Sequence, residues 1–219
     1  MNNPFKLSAY LTSEGWRQIG ESLRNDRLGA ELRHVQVTKP DGSPIYDQPI
    51  VDERPGGAIT VAVDTEGNIA LIEVFRPAVA PADSDFSWPL SEEELSQLGA
   101  YSFEVPRGFP KKDATADQTA IDESAEELGH AVISVQEIGM VNCNTAYFVR
   151  RIPVYRAIID RSRLSDLEQD VNEKIRAAVW FTPTELSEAI VEGKIFCSLT
   201  LGSLALYGAC LTASLLGGD

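Results

Sequence analysis

Three glutamate side chains near the middle of the chain have the type and spacing that bind a divalent cation. Glu123, Glu126 and Glu127 lie three and four residues apart, so a helix through them places all three carboxylates on one face. Each like-charged pair at this spacing costs an isolated helix roughly 0.2–0.5 kcal/mol. Mg²⁺ relieves such repulsion because it takes oxygen ligands from a few carboxylates and from substrate phosphates. A solvated acidic face is the alternative, since the chain has 33 acidic residues.

The residues before this segment supply the elements that must hold the glutamates in place. The stretch from Glu104 to Gly108 (EVPRG) predicts a strand that ends in a Pro/Gly turn, with a basic residue beside the turn glycine. A helix is predicted to begin near Thr115, where Gln118 completes a capping-box pattern, and to end at Gly129. Strand, turn, linker and acidic helix therefore follow one another in this order.

This arrangement resembles the Nudix box, the sequence motif of the Nudix hydrolases. With the turn glycine placed first, five residues fall on box positions without a gap: Gly108, Glu123, Glu126, Glu127 and Gly129. Three positions depart from the motif, with Ala114 in place of a glutamate, Asp122 in place of an arginine and Ser124 in place of an apolar residue. The metal-binding carboxylates of the motif are thus retained.

The two charged departures belong together. In the family, the glutamate and arginine that are missing here resemble an ion pair that braces the loop against the helix, and losing both avoids one unpaired buried charge. We expect Ala114 and Asp122 to loosen this loop. Lys111 and Lys112 are the nearby candidates for a substitute contact with Asp122, although a flexible lysine makes a weaker brace than arginine.

The resemblance covers most of residues 55–207 and extends to the ADP-ribose pyrophosphatase branch of the family. A predicted hairpin over residues 56–77 and the residues before the strand at 175–181 are both similar to that branch. The resemblance implies an α/β fold in which a mixed β-sheet is sandwiched between helices. We expect a small N-terminal appendage over residues 1–55 and the Nudix hydrolase domain over residues 56–219.

The N-terminal appendage has two interpretations. In the branch that the chain resembles, the corresponding region is a small β-rich piece that joins two subunits, which implies a homodimer. A simple cover for the core sheet is the alternative. Trp16, Ile19 and Leu23 recur at helical spacing, which predicts a helix over residues 12–24, and a strand is expected over residues 32–37.

The resemblance implies a role for each carboxylate. Glu123 and Glu127 would bind Mg²⁺ or Mn²⁺, with Glu126 as a further ligand or as a support behind the ligands, and Glu127 would also belong to the catalytic group. In the family branch, a glutamate from a later loop orients or deprotonates the attacking water. Glu173 is the first choice for this role because it lies in a stretch that matches the branch, and Asp170 is the second. A solvated acidic loop is the alternative.

Two arginines are candidates for binding phosphate. Arg76 ends the predicted hairpin and Arg107 lies in the turn, and a guanidinium suits this role because its planar fork binds two oxygens at once. Ordinary surface charge is the alternative for each. Glu104, at the entry to the turn, is assigned to the same substrate-binding group. The implied substrate is a nucleoside diphosphate joined to another moiety, with ADP-ribose or a nucleotide sugar first.

Three functions remain open from the sequence. The first is metal-dependent hydrolysis of such a diphosphate. The second is a Nudix-fold protein that has lost catalysis and binds a nucleotide, which Ala114 and Asp122 would explain. The third is an acidic interaction domain without a nucleotide site.

Composition narrows the expected partners and compartment. The chain has 219 residues and a formal net charge of −14, which disfavours nucleic-acid binding because a phosphate backbone needs a basic footprint. It opens without a charged-then-apolar leader and its three cysteines are scattered, so we expect a cytoplasmic protein with reduced thiols. Residues 195–218 carry no charge and are long enough to span a bilayer, but their many Ser, Thr and Gly residues favour a buried helix and no membrane contact.

Hydrophobic patterns predict the remaining elements. Strands are expected over residues 132–138, 145–149, 154–159 and 175–181. Thr182 followed by Pro183 and Glu185 predicts a helix start, with Gly193 after its end. A last helix, apolar or small on all sides, is expected over residues 199–216 and should be buried against the core or a partner.

Overall fold

The chain, whose structure is a computed structural model, divides into two compact units. The structure describes residues 15–18, 23–25, 30–38, 41, 43–52, 57–76, 93, 100–169 and 173–216. The first unit comprises Met1–Pro55 and Asn142–Arg150, and the second comprises Gly56–Val141 and Arg151–Asp219. The sequence assigns residues 142–150 to the Nudix domain, whereas in the structure they belong to the first unit.

The first unit contains a small antiparallel sheet. Its strands are β1 (Gly15–Gln18), β2 (Leu23–Asn25), β3 (Ala30–Thr38) and β4 (Pro44–Asp52), and β3 pairs with each of the other three. The helix predicted over residues 12–24 is therefore wrong where the structure describes the chain. Trp16 pairs with Val37 and Leu23 with Leu32, because pairing with β3 outweighs the helical spacing of a few apolar residues.

The strand predicted over residues 145–149 is also wrong. In this segment only Phe148 forms a bridge, to Val51 of β4. The side-chain amide of Asn142 donates to the carbonyl oxygens of Phe148 and Arg150 at 2.8 and 2.6 Å. A side chain thus satisfies backbone groups that a strand would pair with a neighbour, and a turn forms instead.

The second unit contains a seven-stranded mixed sheet. Its strands are β5 (Ala58–Asp64), β6 (Ile69–Phe75), β7 (Tyr101–Glu104), β8 (Arg107–Gly108), β9 (His130–Val141), β10 (Ile152–Leu164) and β11 (Ile175–Phe181). The main order is β11-β6-β5-β10-β9, in which β5 and β10 are parallel and the other neighbours are antiparallel. The strands predicted over 132–138, 154–159 and 175–181 are present, and the first two are longer than predicted.

The two central strands β5 and β6 diverge after their hairpin. They pair through only two residue pairs, Ala62 with Ala70 and Val63 with Ile69. Farther from the hairpin, β6 pairs with β7 and β5 pairs with β8. The short turn between β7 and β8 therefore fills the fork between the two central strands.

Helices cover both faces of this sheet. They are α1 (Ala116–Leu128), α2 (Pro183–Val191) and α3 (Ser198–Leu216). Ile59 and Val61 of β5 belong to the apolar core that includes Leu186 of α2, and the alternate residue Ala62 belongs to the core that includes Leu128 of α1. The predicted α/β fold, with a mixed sheet between helices, is confirmed.

The start of α2 follows the predicted pattern. The Thr182 hydroxyl accepts the N–H of Glu185 at 3.3 Å, and the Glu185 carboxylate accepts the N–H of Thr182 at 2.8 Å. Gly193 follows the helix in the left-handed conformation, with a φ of 74°. The sequence therefore predicts both ends of this helix correctly.

Helix α3 is less buried than its sequence predicts. Only 17% of Ser198–Leu215, which has a mean hydropathy of 1.4, is buried. The helix contacts β5 and β9 and packs its residues from Leu199 to Tyr207 against the core, whereas Leu211 and Leu215 are 43% and 84% exposed. The second half of α3 is therefore not buried against the core, and its burial against a partner stays a prediction. The helix is also long and apolar enough to cross a membrane, a weak indication because soluble core helices share these properties.

Candidate active site

Helix α1 carries the three glutamates and begins and ends where predicted. Thr115 is its extended N-cap residue, and Gly129 is left-handed with a φ of 70° and donates its N–H to the carbonyl of Ala125 at 3.1 Å. The predicted capping box does not form, since Thr115 accepts no capping hydrogen bond. The Gln118 amide donates instead to Asp122 at 2.7 Å.

A lysine links the loop to the helix where the box lacks its usual charges. Lys111 forms an ion pair with Glu126, so the predicted contact with Asp122 is wrong. The hydrogen bond to Glu126 raises the pKa of Lys111, and the charges of Asp122 and Glu123 raise it further. Ser124 is buried without cost to hydrogen bonding because its hydroxyl donates to a helix carbonyl at 2.6 Å.

Glu127 is held against the turn between β7 and β8. Glu127 is only 6% exposed, and its Oε2 accepts the backbone N–H of Arg107 at 3.1 Å. On the other side of the turn, the carbonyl of Pro106 accepts the N–H of Thr60 in β5 at 2.8 Å. The turn therefore joins the acidic helix to the central sheet.

Gly108 leaves the space that the Glu123 carboxylate occupies. A Cβ atom built on Gly108 would lie 2.1 Å from the carboxyl carbon and Oε1 of Glu123, far inside van der Waals contact. Gly108 is thus needed here for close approach of a carboxylate to the backbone.

Glu173 joins these two glutamates from the segment before β11. Its charge acts on both Glu123 and Glu127. Asp170, the second choice for the catalytic loop residue, lies outside the described residues.

Burial and mutual repulsion raise the pKa of both helix carboxyls at this point. Burial, followed by the charges of Glu173 and Glu126, raises the pKa of Glu123 from 4.5 to about 7. Burial, followed by the charges of Glu173 and Glu123, raises the pKa of Glu127 well above 4.5. A cation among these carboxylates would favour their ionised forms and oppose both shifts.

The chemistry of the donor set fits a hard divalent cation. In the part of the chain that the structure describes, no three His, Cys, Asp or Glu side chains already form a metal cluster. Glu123, Glu127 and Glu173 nevertheless interact with one another and offer only carboxylate oxygens, which Mg²⁺ and Mn²⁺ prefer. Glu126 is bound to Lys111 and would have to exchange that partner to become a ligand.

Beside the acidic group, one buried carboxylate holds two arginines. Glu104 is 3% exposed, and its Oε2 accepts from Nε and Nη2 of Arg76 at 3.0 and 2.9 Å and from Nη2 of Arg107 at 2.6 Å. Burial alone lowers the pKa of Arg76, but the hydrogen bond to Glu104 and the charges of Glu104, Glu127 and Glu173 raise it above its usual value. All three residues assigned to substrate binding therefore come together.

Two contacts from α3 and the residue before it were not predicted. Cys197 Sγ accepts from Nη1 of Arg107 at 3.6 Å, and Thr200 Oγ1 accepts the N–H of Val105 at 3.2 Å. They lie 90 and 95 residues along the chain from the residues that they contact, and no local motif marks them. Thr200 is one of several Ser and Thr residues in α3, so its hydroxyl does not stand out in the sequence.

Comparison with known proteins supports the fold. No model of a protein family matches the sequence, and no curated protein matches it. A crystal structure described as that of an ADP compounds hydrolase has a TM-score of 0.64 and 14% sequence identity to this chain, and the match covers 91% of this chain and 95% of the other. The chain therefore has a Nudix-like fold.

The raised pKa values predict that the metal-free protein loses stability as the pH rises. A carboxyl with a raised pKa holds its proton more tightly in the folded state than in the unfolded state. Glu123 therefore adds to the free energy of unfolding fully below about pH 4.5, and this stabilisation is lost as the pH rises past about 7. Glu123→Gln keeps the neutral form and should raise Tm at pH 8 by several degrees, since about 1 kcal/mol shifts Tm by ~2–4 °C in a domain of this size. Thermal unfolding in EDTA at pH 5 and pH 8 measures the effect. Equal pH dependence in both proteins would contradict it.

Gly108→Ala should displace the Glu123 carboxylate and weaken any response to a divalent cation. The added methyl group occupies the position of the carboxyl group, and the flexible side chain moves away at little cost to folding. We expect the rise in Tm on adding Mg²⁺ to fall by more than half. Gly208→Ala, where nothing lies within 4 Å of the added atom, is the control. An unchanged Mg²⁺ response in Gly108→Ala would mean that Glu123 does not bind the ion.

Proposed function

We propose that the protein is a metal-dependent hydrolase of a nucleoside diphosphate linked to another moiety, of the ADP-ribose or nucleotide sugar class. The observation that carries this proposal is the position of Glu123 and Glu127 at the turn of Arg107 and Gly108, beside two arginines held by one buried carboxylate. The fold shared with an ADP compounds hydrolase supports the nucleotide part of the substrate.

Glu123 and Glu127 would hold Mg²⁺ or Mn²⁺ in this reaction, with Glu126 as a further ligand or as a support. When bound, such a cation supplies a Lewis acid that neutralises charge on the diphosphate and lowers the pKa of water. Lys111 keeps Glu126 close to the other two glutamates. The hydrogen bond from the Arg107 N–H keeps one oxygen of Glu127 fixed.

Arg76 and Arg107 bind the phosphate oxygens of the substrate. Glu104 already orients both guanidinium groups, so little side-chain freedom remains to be lost when an anion binds. Glu104 acts through the arginines, because its carboxylate is buried and would repel phosphate. Glu173 accepts the proton of the attacking water, because the exposed carboxylate of Glu173 interacts with Glu127 from a separate segment of the chain. Asp170 is the second choice for this role.

The second candidate is a protein with the same fold that binds a nucleotide without hydrolysing it. Ala114 and Asp122, which replace two charged box residues, favour this candidate. The ion pair between Lys111 and Glu126 favours hydrolysis instead, because it provides a loop contact that those replacements would remove.

A screen of nucleoside diphosphate derivatives with Mg²⁺ separates these candidates. Hydrolysis of the diphosphate exposes phosphate monoesters, which a phosphatase converts to free phosphate for detection. Product from ADP-ribose or a nucleotide sugar supports the hydrolase. Binding without product supports the nucleotide-binding protein, and no Mg²⁺ or nucleotide binding leaves an acidic interaction domain.

Replacing either Glu123 or Glu127 with glutamine should abolish most turnover. Glu123→Gln and Glu127→Gln each remove a carboxylate ligand and a repulsion, so we expect kcat to fall at least 100-fold while the metal-free fold is unchanged or slightly stabilised. Asp122→Asn, on the same helix and bound to Gln118, is the control and should keep kcat within about threefold, the scale of surface changes. Wild-type turnover in both glutamine variants would refute the assignment of this helix.

Glu173→Gln should lower kcat and leave KM nearly unchanged. Activation of water matters mainly in the transition state, and Glu173 makes no contact with the ground-state phosphates in this mechanism. We expect a decrease of about 100-fold, within the usual range for general-base catalysis. Asp170→Asn is measured in parallel. If that variant loses activity and Glu173→Gln does not, the base is Asp170, and if neither does, the loop carries no base.

A further inference from the structure

The turn that carries Arg107 is supported by two different helices. Pro106 has no N–H, so the backbone donors at this turn are Val105 and Arg107. The N–H of Arg107 donates to Glu127 of α1 at 3.1 Å, and the N–H of Val105 donates to the hydroxyl of Thr200 in α3 at 3.2 Å. A carboxylate on one side and a hydroxyl on the other therefore fix the path of the turn.

The contact between Val105 and Thr200 is shut off from water. Both residues are 0% exposed, so solvent cannot replace the hydroxyl if it is removed. A buried N–H without an acceptor is costly, and a short turn can avoid that cost only by moving. The hydroxyl of Thr200 thus constrains the backbone from which the Arg107 side chain extends.

The residue before α3 also contacts the Arg107 side chain. Cys197 Sγ accepts from Nη1 at 3.6 Å, while Glu104 accepts from Nη2 at 2.6 Å. Sulfur is a weak acceptor, but a second contact on another nitrogen limits rotation of the planar group. Cys197 and Thr200 are three residues apart, so one helical turn supplies both contacts.

We propose that Thr200 and Cys197 are positioning residues that hold Arg107 in the orientation that binds phosphate. The identity of the ligand rests on the proposed function, whereas the support of the turn rests on the contacts alone. Thr200 acts on the backbone and Cys197 on the guanidinium group, and neither touches the substrate. The C-terminal helix therefore contributes to phosphate binding although it lies outside the box.

Three variants of α3 separate positioning from general stability. Thr200→Val keeps the shape and removes the acceptor, and Thr200→Ser restores the hydroxyl. Ser203→Ala is the matched control, because Ser203 is also 0% exposed on the same helix and its hydroxyl has no hydrogen-bond partner in the described chain. Amide hydrogen exchange of residues 104–108 is measured without ligand, and the Kd for ADP is measured by calorimetry in Mg²⁺.

We expect Thr200→Val to speed exchange in residues 104–108 at least tenfold and to weaken ADP binding about tenfold. Thr200→Ser and Ser203→Ala should stay within twofold of wild type in both measurements. In an Arg107→Ala background, Thr200→Val should weaken ADP binding by less than twofold further, since the residue that it positions is already gone. If Thr200→Val does not fold, Cys197→Ala tests the same idea, with ADP binding about threefold weaker and Tm unchanged.

Unchanged exchange in Thr200→Val, or the same loss of ADP binding in Ser203→Ala, would overturn the proposal. A full additional loss in the Arg107→Ala background would overturn it as well, and so would wild-type ADP binding in Cys197→Ala. If the wild-type protein neither binds ADP nor hydrolyses any nucleotide, the hydrolase proposal fails. Hydrogen exchange still decides in that case whether Thr200 holds the turn.

Discussion

The hydrogen bond from the Arg107 N–H to the Glu127 carboxylate is the contact on which the rest of the site depends. Glu127 is only 6% exposed, and a carboxylate is expensive to bury unless it is hydrogen-bonded. A hydrogen bond contributes about 0.5–1.5 kcal/mol when its acceptor is neutral and about 1.5–3 kcal/mol when its acceptor is ionised. Because it joins α1 to the turn between β7 and β8, it brings an acidic group and a basic group to opposite sides of one short backbone segment.

The motif that the chain resembles has two charged residues that are absent here, but a contact between the loop and the helix is present. Lys111 connects the loop to α1 through Glu126, so a contact from loop to helix exists without the usual pair. Ser124 replaces an apolar residue and satisfies its hydroxyl within the helix. The ion pair has a consequence for the site. Glu126, which is paired with Lys111, is less available to a metal ion than Glu123 and Glu127.

The sequence predicts the parts of the site that lie close together along the chain. The spacing of Glu123 and Glu127 matches the helical repeat, and the turn at Gly108 has its own Pro/Gly pattern, so local chemistry is enough to place them. The contact of Glu173 with Glu127 was anticipated only through resemblance. The support from Thr200 was not anticipated, because a hydrogen bond over 95 residues depends on how the sheet closes.

The errors in secondary structure have the same origin. Trp16 belongs to a strand because β3 offers a partner for its backbone, and the segment around Phe148 forms a turn because Asn142 satisfies its carbonyl. Apolar spacing reveals neither contact, since it reports how a segment could be buried and not which group its backbone meets, even when that group is six residues away, as Asn142 is from Phe148.

The exposed second half of α3 gives this acidic protein an uneven electrostatic surface. Copies with a net charge of −14 repel one another, but residues 195–218 contribute no charge to that repulsion. Two copies that approach through Leu211 and Leu215 therefore meet a lower barrier than copies that approach through acidic surfaces. Added salt shortens the range of the repulsion to about 10 Å at 0.1 M, and acidification toward the isoelectric point of about 4.6 removes it. Self-association in both conditions should begin at the same end of one helix.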